Sequence, residues 1–163
     1  MKVLAVSGVS SSGKTTVIEM IIKELKERGY RVGSIKDIHF EDFAMDQKGS
    51  NTWRHLQAGA EQVIARGFHE TDILIPKRME YEELVPYFDQ DFLVIEGMPE
   101  APVPRILCAH GEEELIERWT EQVFAVSGRI SERIKEFKGI PAINALTCIK
   151  ELVDLIEVKA LAR

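Results

Sequence analysis

Two rhythms alternate along this chain, short unbroken apolar runs and longer stretches with helical periodicity, and together they predict the fold. Apolar runs of strand length fall at residues 2–7, 31–36, 61–65, 72–75, 92–95, 105–109, 122–126 and 140–143. Between them, residues 15–26 place apolar side chains at Ile18, Ile21, Ile22 and Leu25, one face of a helix. Gly29 follows as its cap, and a polar loop runs from 37 to 49. Further helices are predicted at 50–58, with Ser50 or Asn51 as the cap, and at 80–88, 112–118, 130–137 and 146–157. Strands interleaved with helices predict an α/β fold, a three-layer α/β/α arrangement around a mostly parallel, twisted sheet. No repeat, low-complexity tract or linker divides the 163 residues, so the expectation is a single domain over 1–163. In such folds ligands sit beyond the carboxyl ends of the strands, which selects the positions where chemistry is sought.

The first of those ends carries Gly8-Val9-Ser10-Ser11-Ser12-Gly13-Lys14-Thr15. This fits the phosphate-binding pattern G-x-x-x-x-G-K-[ST] in full, with a strand ahead and a helix behind, the context the motif requires. Glycines permit backbone angles that turn successive N–H groups inward, and the helix start adds partial positive charge where phosphates sit. Gly8, Val9, Ser10, Ser11, Ser12, Gly13, Lys14, Thr15 and Thr16 are therefore the candidate nucleotide-binding residues, in a P-loop NTPase fold. Lys14 is expected on the β- and γ-phosphates and the Thr15 hydroxyl on Mg²⁺.

Other strand ends supply further candidates. Phe92-Leu93-Val94-Ile95 closes with Glu96-Gly97, placing a carboxylate where a Mg²⁺ or water ligand is needed; Asp91 enters at the opposite end of the strand. The second strand ends in Lys36-Asp37, which would face the phosphates if that strand neighbours the first. Asp37 could hold a metal-bound water or orient an attacking one, or simply begin a polar loop; His39 is a weaker candidate base. Lys14, Asp37 and Glu96 form the candidate catalytic set. The block from Asp46 to Ala60 reads on its own as a solvent-facing helix with Trp53 packed inward.

Composition narrows the partners. The formal net charge of −6 argues against a broad nucleic-acid or anionic-membrane surface, so phosphate affinity must be local to the loop. Cys108, in a strand, and Cys148, near a helix start, lack metal-ligand spacing and are expected as small core residues. No apolar run approaches membrane-spanning length, and the amino-terminal apolar run ends in the phosphate loop instead of a signal-peptide pattern. A reducing cytoplasmic setting is the expectation.

Taken together, the loop Gly8–Thr15, the Ile35-Lys36 strand end, the block Asp46…Gly49…Thr52-Trp53-Arg54-His55…Ala58-Gly59-Ala60 and Asp91…Glu96-Gly97 resemble the MobB family of molybdopterin-guanine dinucleotide biosynthesis proteins. The resemblance implies a Mg²⁺-dependent GTP-binding accessory protein with slow GTPase activity, with ATP as the alternative nucleotide. It also implies a MobA-like nucleotidyltransferase and molybdopterin as partners, a homodimer, and phosphate or partner contacts from Lys36, Asp46, Thr52 and Arg54. The chain departs from the family pattern at Asp37-Ile38-His39-Phe40, at Gly49-Ser50-Asn51-Thr52, at Met98-Pro99-Glu100 and at Val126-Ser127-Gly128-Arg129, and it has no Asn-Lys-x-Asp guanine-reading motif. Two other functions share the loop chemistry. One is a small-molecule kinase, although residues 76–90 offer only Lys77 and Arg78 for a lid; the other is a nucleotide-gated binding module with a different client.

Overall fold

Val3-Leu4-Ala5-Val6 is buried on both sides of its strand, the pattern of a central strand in a parallel sheet. The computed structural model describes residues 1–162, and Arg163, the last residue of the predicted domain, lies outside the described residues. In chain order the elements are β1 (Lys2–Gly8), α1 (Lys14–Glu27), β2 (Val32–Lys36), α2 (Asn51–Gln57), β3 (Val63–Arg66), β4 (Thr71–Leu74) and α3 (Tyr81–Leu84). Then follow β5 (Phe92–Glu96), β6 (Arg105–Cys108), α4 (Glu112–Arg118), β7 (Val123–Ser127), β8 (Glu136–Phe137), β9 (Ile140–Pro141), α5 (Ile149–Lys159) and β10 (Leu161–Ala162). The chain divides into two compact units, Met1–Asp37 with the chain from Pro86 onward, and Ile38–Val85.

The first unit is built on a six-stranded sheet in the order β2-β5-β1-β6-β7, with these five strands parallel. β10 pairs antiparallel with Lys2 and Val3 of β1, beside the stretch Ala5–Gly8 that pairs with β6. On one face Ile18, Ile21 and Leu25 of α1 and Leu152, Val153 and Ile156 of α5 pack on Leu4, Val6, Val94 and Ile106. On the other, Leu115 of α4 and Ile130 pack on Leu107 and Val126. The predicted three-layer α/β/α architecture with a mostly parallel sheet is the one observed. Gly29 closes α1 as expected: at φ +90° it allows Tyr30 N–H to reach Leu25 O (3.1 Å) and Gly29 N–H to reach Lys26 O (3.0 Å).

The second unit carries α2, the antiparallel pair β3–β4 and α3. Ser50 caps α2, its hydroxyl accepting from Trp53 N–H at 3.0 Å. Trp53 is half-buried and lines a cavity of about 690 Å³ with Phe43, Met45, Leu56 and Ile73.

Several predicted elements are corrected. The helix expected over 130–137 is a 3-10 turn at Arg129–Glu132 followed by the β8–β9 hairpin. Lys138 and Gly139 both take positive φ (51° and 76°), the two-residue turn that suits a right-twisted hairpin. That hairpin also reduces the strand expected over 140–143 to two residues, with Ala142 making one isolated parallel bridge to Val126. The helix expected over 80–88 stops at Leu84 and passes into a 3-10 turn, because Pro86 lacks the N–H that the α pattern needs. The last helix begins at Ile149, not 146, since Asn144 draws the preceding residues into a turn: its side chain accepts from Leu146 N–H (2.9 Å) and its carbonyl from Cys148 N–H (2.8 Å). Cys108 is buried as expected, and burial pushes its thiol up to about 12. Cys148 is exposed at the helix start and is no core residue.

Arg105 is a feature the pattern gave no warning of. It lies at the start of β6, is only 2% exposed, and donates from its guanidinium to Ala101 O (2.8 Å) and Pro99 O (3.2 Å). Burial pushes its pKa below the usual arginine range, yet the two carbonyls hold it in place and pin the loop that follows Glu96. Arg105→Ala would orphan both carbonyls and leave a void. The expected loss is about 3 kcal/mol of stability in urea denaturation, and a loss under 1 kcal/mol would mean the loop does not depend on this contact.

Candidate functional site

The phosphate loop joins β1 to α1 at the carboxyl edge of the parallel sheet. It is held there by contacts that only glycine permits. A Cβ on Gly8, at φ +139°, would sit 2.0 Å from Cys108 O, its neighbour on β6. A Cβ on Gly128, at φ +72°, would sit 2.3 Å from Ser12 O, and Arg129 N–H donates to that same oxygen at 3.1 Å. Ser12 is fully buried, its hydroxyl donating to Val9 O at 2.9 Å. The loop is thus seated between the ends of β6 and β7.

Its chemistry faces outward from that seat. Gly13, at φ +97°, precedes α1, and no side chain caps the helix or places an acid in its first turn. The first-turn N–H groups therefore point to the loop with the positive end of the helix dipole behind them. Lys14 lies across the loop, its ammonium donating to Val9 O at 2.6 Å. Thr15 Oγ1 donates to Glu96 Oε1 at 3.4 Å, so the two predicted Mg²⁺ ligands are brought together. Hydroxyl plus carboxylate is an oxygen donor set that suits Mg²⁺, which keeps several waters and phosphate oxygens and takes only one or two protein ligands. Among the described residues no group of three or more His, Cys, Asp or Glu forms a self-sufficient metal cage.

Lys36 and Asp37 reach the site by a different route from the one expected. β2 does not neighbour β1, because β5 lies between them. Lys36 and Glu96 are in register across β2 and β5, and the Lys36 ammonium binds Glu96 Oε1 at 2.7 Å. Asp37 N–H donates to Glu96 O (2.9 Å), and its carboxylate accepts from Met98 N–H (3.3 Å) as the chain turns at Gly97. Asp37 thus shapes the turn that presents Glu96. Asp91, at the far end of β5, accepts from Arg31 N–H at 2.7 Å, away from the loop.

Asp46, Thr52 and Arg54 belong to the second unit. Asp46 Oδ1 accepts from Ser50 Oγ (2.7 Å) and Gln47 N–H (2.9 Å), and the Ser50 bond, first among these donors, holds its carboxyl below the usual range. Thr52 Oγ1 shares a hydrogen bond with Ser50 Oγ at 2.9 Å, so both residues build the start of α2, while Arg54 is exposed on it. His39 is exposed in the loop after β2.

Two groups beside the loop escaped the sequence reading. A cavity of about 300 Å³ opens against Gly13, Thr16 and Val17 and is closed by Arg129, Glu132 and Asn144. His110, two residues beyond β6, places Nε2 3.0 Å from Ser11 O and Nδ1 3.2 Å from Glu114 Oε1. Both lie at carboxyl ends of strands, so the placement rule that selected Glu96 applied equally to the residues after β6 and β7.

A strand that passes through a glycine-bounded loop into an uncapped helix, at the carboxyl edge of a parallel sheet, defines a P-loop NTPase-like fold. The chain belongs to the molybdopterin guanine dinucleotide synthesis protein B family, whose model matches residues 3–128. It is 36% identical over 115 residues to a molybdopterin-guanine dinucleotide biosynthesis adapter protein of Haemophilus influenzae, covering 68% of this chain and 64% of that relative. The match thus spans a little under two thirds of the Haemophilus protein. A probable adapter protein of the same name from Bacillus subtilis is 28% identical over 147 residues, covering 88% of this chain and 85% of the relative. The crystal structure of Bacillus subtilis MobB superposes with a TM-score of 0.80 at 26% identity over the full length of both chains.

Gly128→Ala tests the seat of the loop directly. With positive φ and a backbone oxygen 2.3 Å from the new Cβ, the substitution is expected to cost about 2 kcal/mol or more in chemical denaturation. Unchanged stability would show that β7 does not support the loop.

Proposed function

We propose that this protein is a Mg²⁺-dependent GTP-binding adapter in molybdopterin guanine dinucleotide synthesis, working with a MobA-like nucleotidyltransferase and molybdopterin. The observation that carries the reading is the loop itself: an uncapped helix start, Lys14 over the turn, and Thr15 against Glu96. The names of the Haemophilus and Bacillus relatives support the pathway and the adapter role. In this reading loop amides and Lys14 grip the polyphosphate, Thr15 and Glu96 hold Mg²⁺, and bound Mg²⁺ offsets phosphate charge. Asp37 keeps Glu96 presented, and Lys36 balances its charge. Slow hydrolysis by such a site would reset the adapter.

The cavity beside Thr16 takes the base. Guanine offers its N1–H and 2-amino donors on one edge, which the Glu132 carboxylate accepts, while adenine offers no such pair. Asn144 has its oxygen engaged by Leu146 N–H, which leaves its amide N–H groups as donors toward a base oxygen or ring nitrogen. GTP is accordingly the nucleotide and ATP the weaker competitor.

Titration calorimetry with Mg-GTP tests the reading. Lys14→Ala is expected to lower affinity at least about tenfold, the loss of one charge-assisted bond, with the melting curve of the free protein unchanged. Unaltered affinity would remove Lys14 from the site. Glu132→Ala should narrow the preference for GTP over ATP by about tenfold, and a constant ratio would place the base elsewhere.

A further inference from the structure

His110 is gripped from more sides than a loop histidine needs. Its main-chain N–H donates to Glu114 Oε2 at 2.7 Å, and its main-chain carbonyl accepts from the Arg133 guanidinium. With the backbone fixed in this way, the ring has one nitrogen 3.2 Å from Glu114 Oε1 and the other 3.0 Å from the carbonyl oxygen of Ser11. Ser11 is the middle of the phosphate loop and, at φ +59°, a non-glycine residue in the left-handed region, where a side chain is disfavoured. Something must hold it there, and the contact to its carbonyl is the imidazole.

The two partners of that ring are both acceptors. A main-chain carbonyl cannot donate, and the Glu114 carboxyl is held below its usual range, chiefly by the His110 N–H, so it too is ionised. A neutral imidazole has one N–H and can satisfy only one of them. An imidazolium has two and satisfies both. We propose that protonated His110, seated by Glu114, is a positioning residue that fixes Ser11 in the left-handed turn of the phosphate loop, so that the loop's grip on a polyphosphate weakens when the ring loses a proton. This rests on the nucleotide-binding reading above.

The charged groups on the elements that meet His110 can be named. Glu114 faces it from α4, with Glu112 and Glu113 in the same first turn. Arg118 lies a turn further along α4 and also lowers the Glu114 pKa. Arg133, from the segment after the 3-10 turn, binds the main chain of His110, and the phosphate loop contributes the neutral Ser11 carbonyl. The bound state requires the doubly protonated ring, so affinity is fully present while the ring holds both protons and declines as rising pH removes one.

Two measurements on the whole protein test this. In the first, ¹⁵N spectra of the His110 ring in the nucleotide-free protein are followed from pH 5 to 9, for wild type and for Glu114→Gln. The expected result is a doubly protonated ring that persists to higher pH in wild type than in the variant. A neutral single tautomer already present at pH 5.5, or identical titration in both proteins, would overturn the brace. In the second, affinity for Mg-GTP is measured across the same range for wild type, Glu114→Gln and His110→Gln, whose folding is checked by melting. Titration of the γ-phosphate is common to all three and cancels in the comparison. Wild type should lose about five- to tenfold more affinity between pH 5.5 and 8.5 than His110→Gln, and Glu114→Gln should begin its loss at lower pH than wild type; a wild-type profile parallel to that of His110→Gln would sink the proposal. If wild type bound no nucleotide at any pH while the ring titration shifted as expected, the nucleotide reading would fail and the brace on Ser11 would stand.

Discussion

Everything at the Gly8–Thr15 loop depends on how closely backbone meets backbone at the carboxyl edge of the sheet. Gly8 lies against the carbonyl of Cys108 and Gly128 against the carbonyl of Ser12, at separations no side chain would allow. These two contacts wedge the loop between the ends of β6 and β7. Within that seat the loop is closed further by its own side chains, the Ser12 hydroxyl and the Lys14 ammonium both donating to Val9 O. The dipole of α1 and the absence of an acidic residue in its first turn then give the opening a preference for anions.

The periodic parts of the chain were the legible parts. Val3-Leu4-Ala5-Val6 and Phe92-Leu93-Val94-Ile95 read as buried strands because burial on both faces removes polar alternation, and α1 because its apolar face repeats at helical spacing. Where local turn chemistry outweighed periodicity the reading failed. Lys138-Gly139 turned a predicted helix into a hairpin, Pro86 cut another short, and Asn144 delayed the start of α5 by absorbing the turn before it. The amide, carbonyl and side-chain bonds that do this have no periodic signature.

The site divides along the same line. Gly8–Thr15 was legible because its spacing is itself the chemistry, and Glu96 because a strand end fixes where a carboxylate points. The route by which Lys36 and Asp37 reach Glu96 was not, since nothing local reports that β5 inserts between β1 and β2. His110, Glu132 and Asn144 are single polar residues in unremarkable surroundings, and only the sheet order brings them to the loop. Arg105 shows the converse: read along the chain it is a charge beginning an apolar strand, and only the folded loop just before it turns the Pro99 and Ala101 carbonyls back onto the guanidinium.

One oxygen of Glu96 serves both the Lys36 ammonium and the Thr15 hydroxyl, and the side chain is 14% exposed. A carboxylate so far withdrawn from water destabilises its surroundings when left alone. With the Lys36 ammonium 2.7 Å away, Glu96 is neutralised within the protein itself, and no isolated negative charge stands at the centre of the sheet's edge.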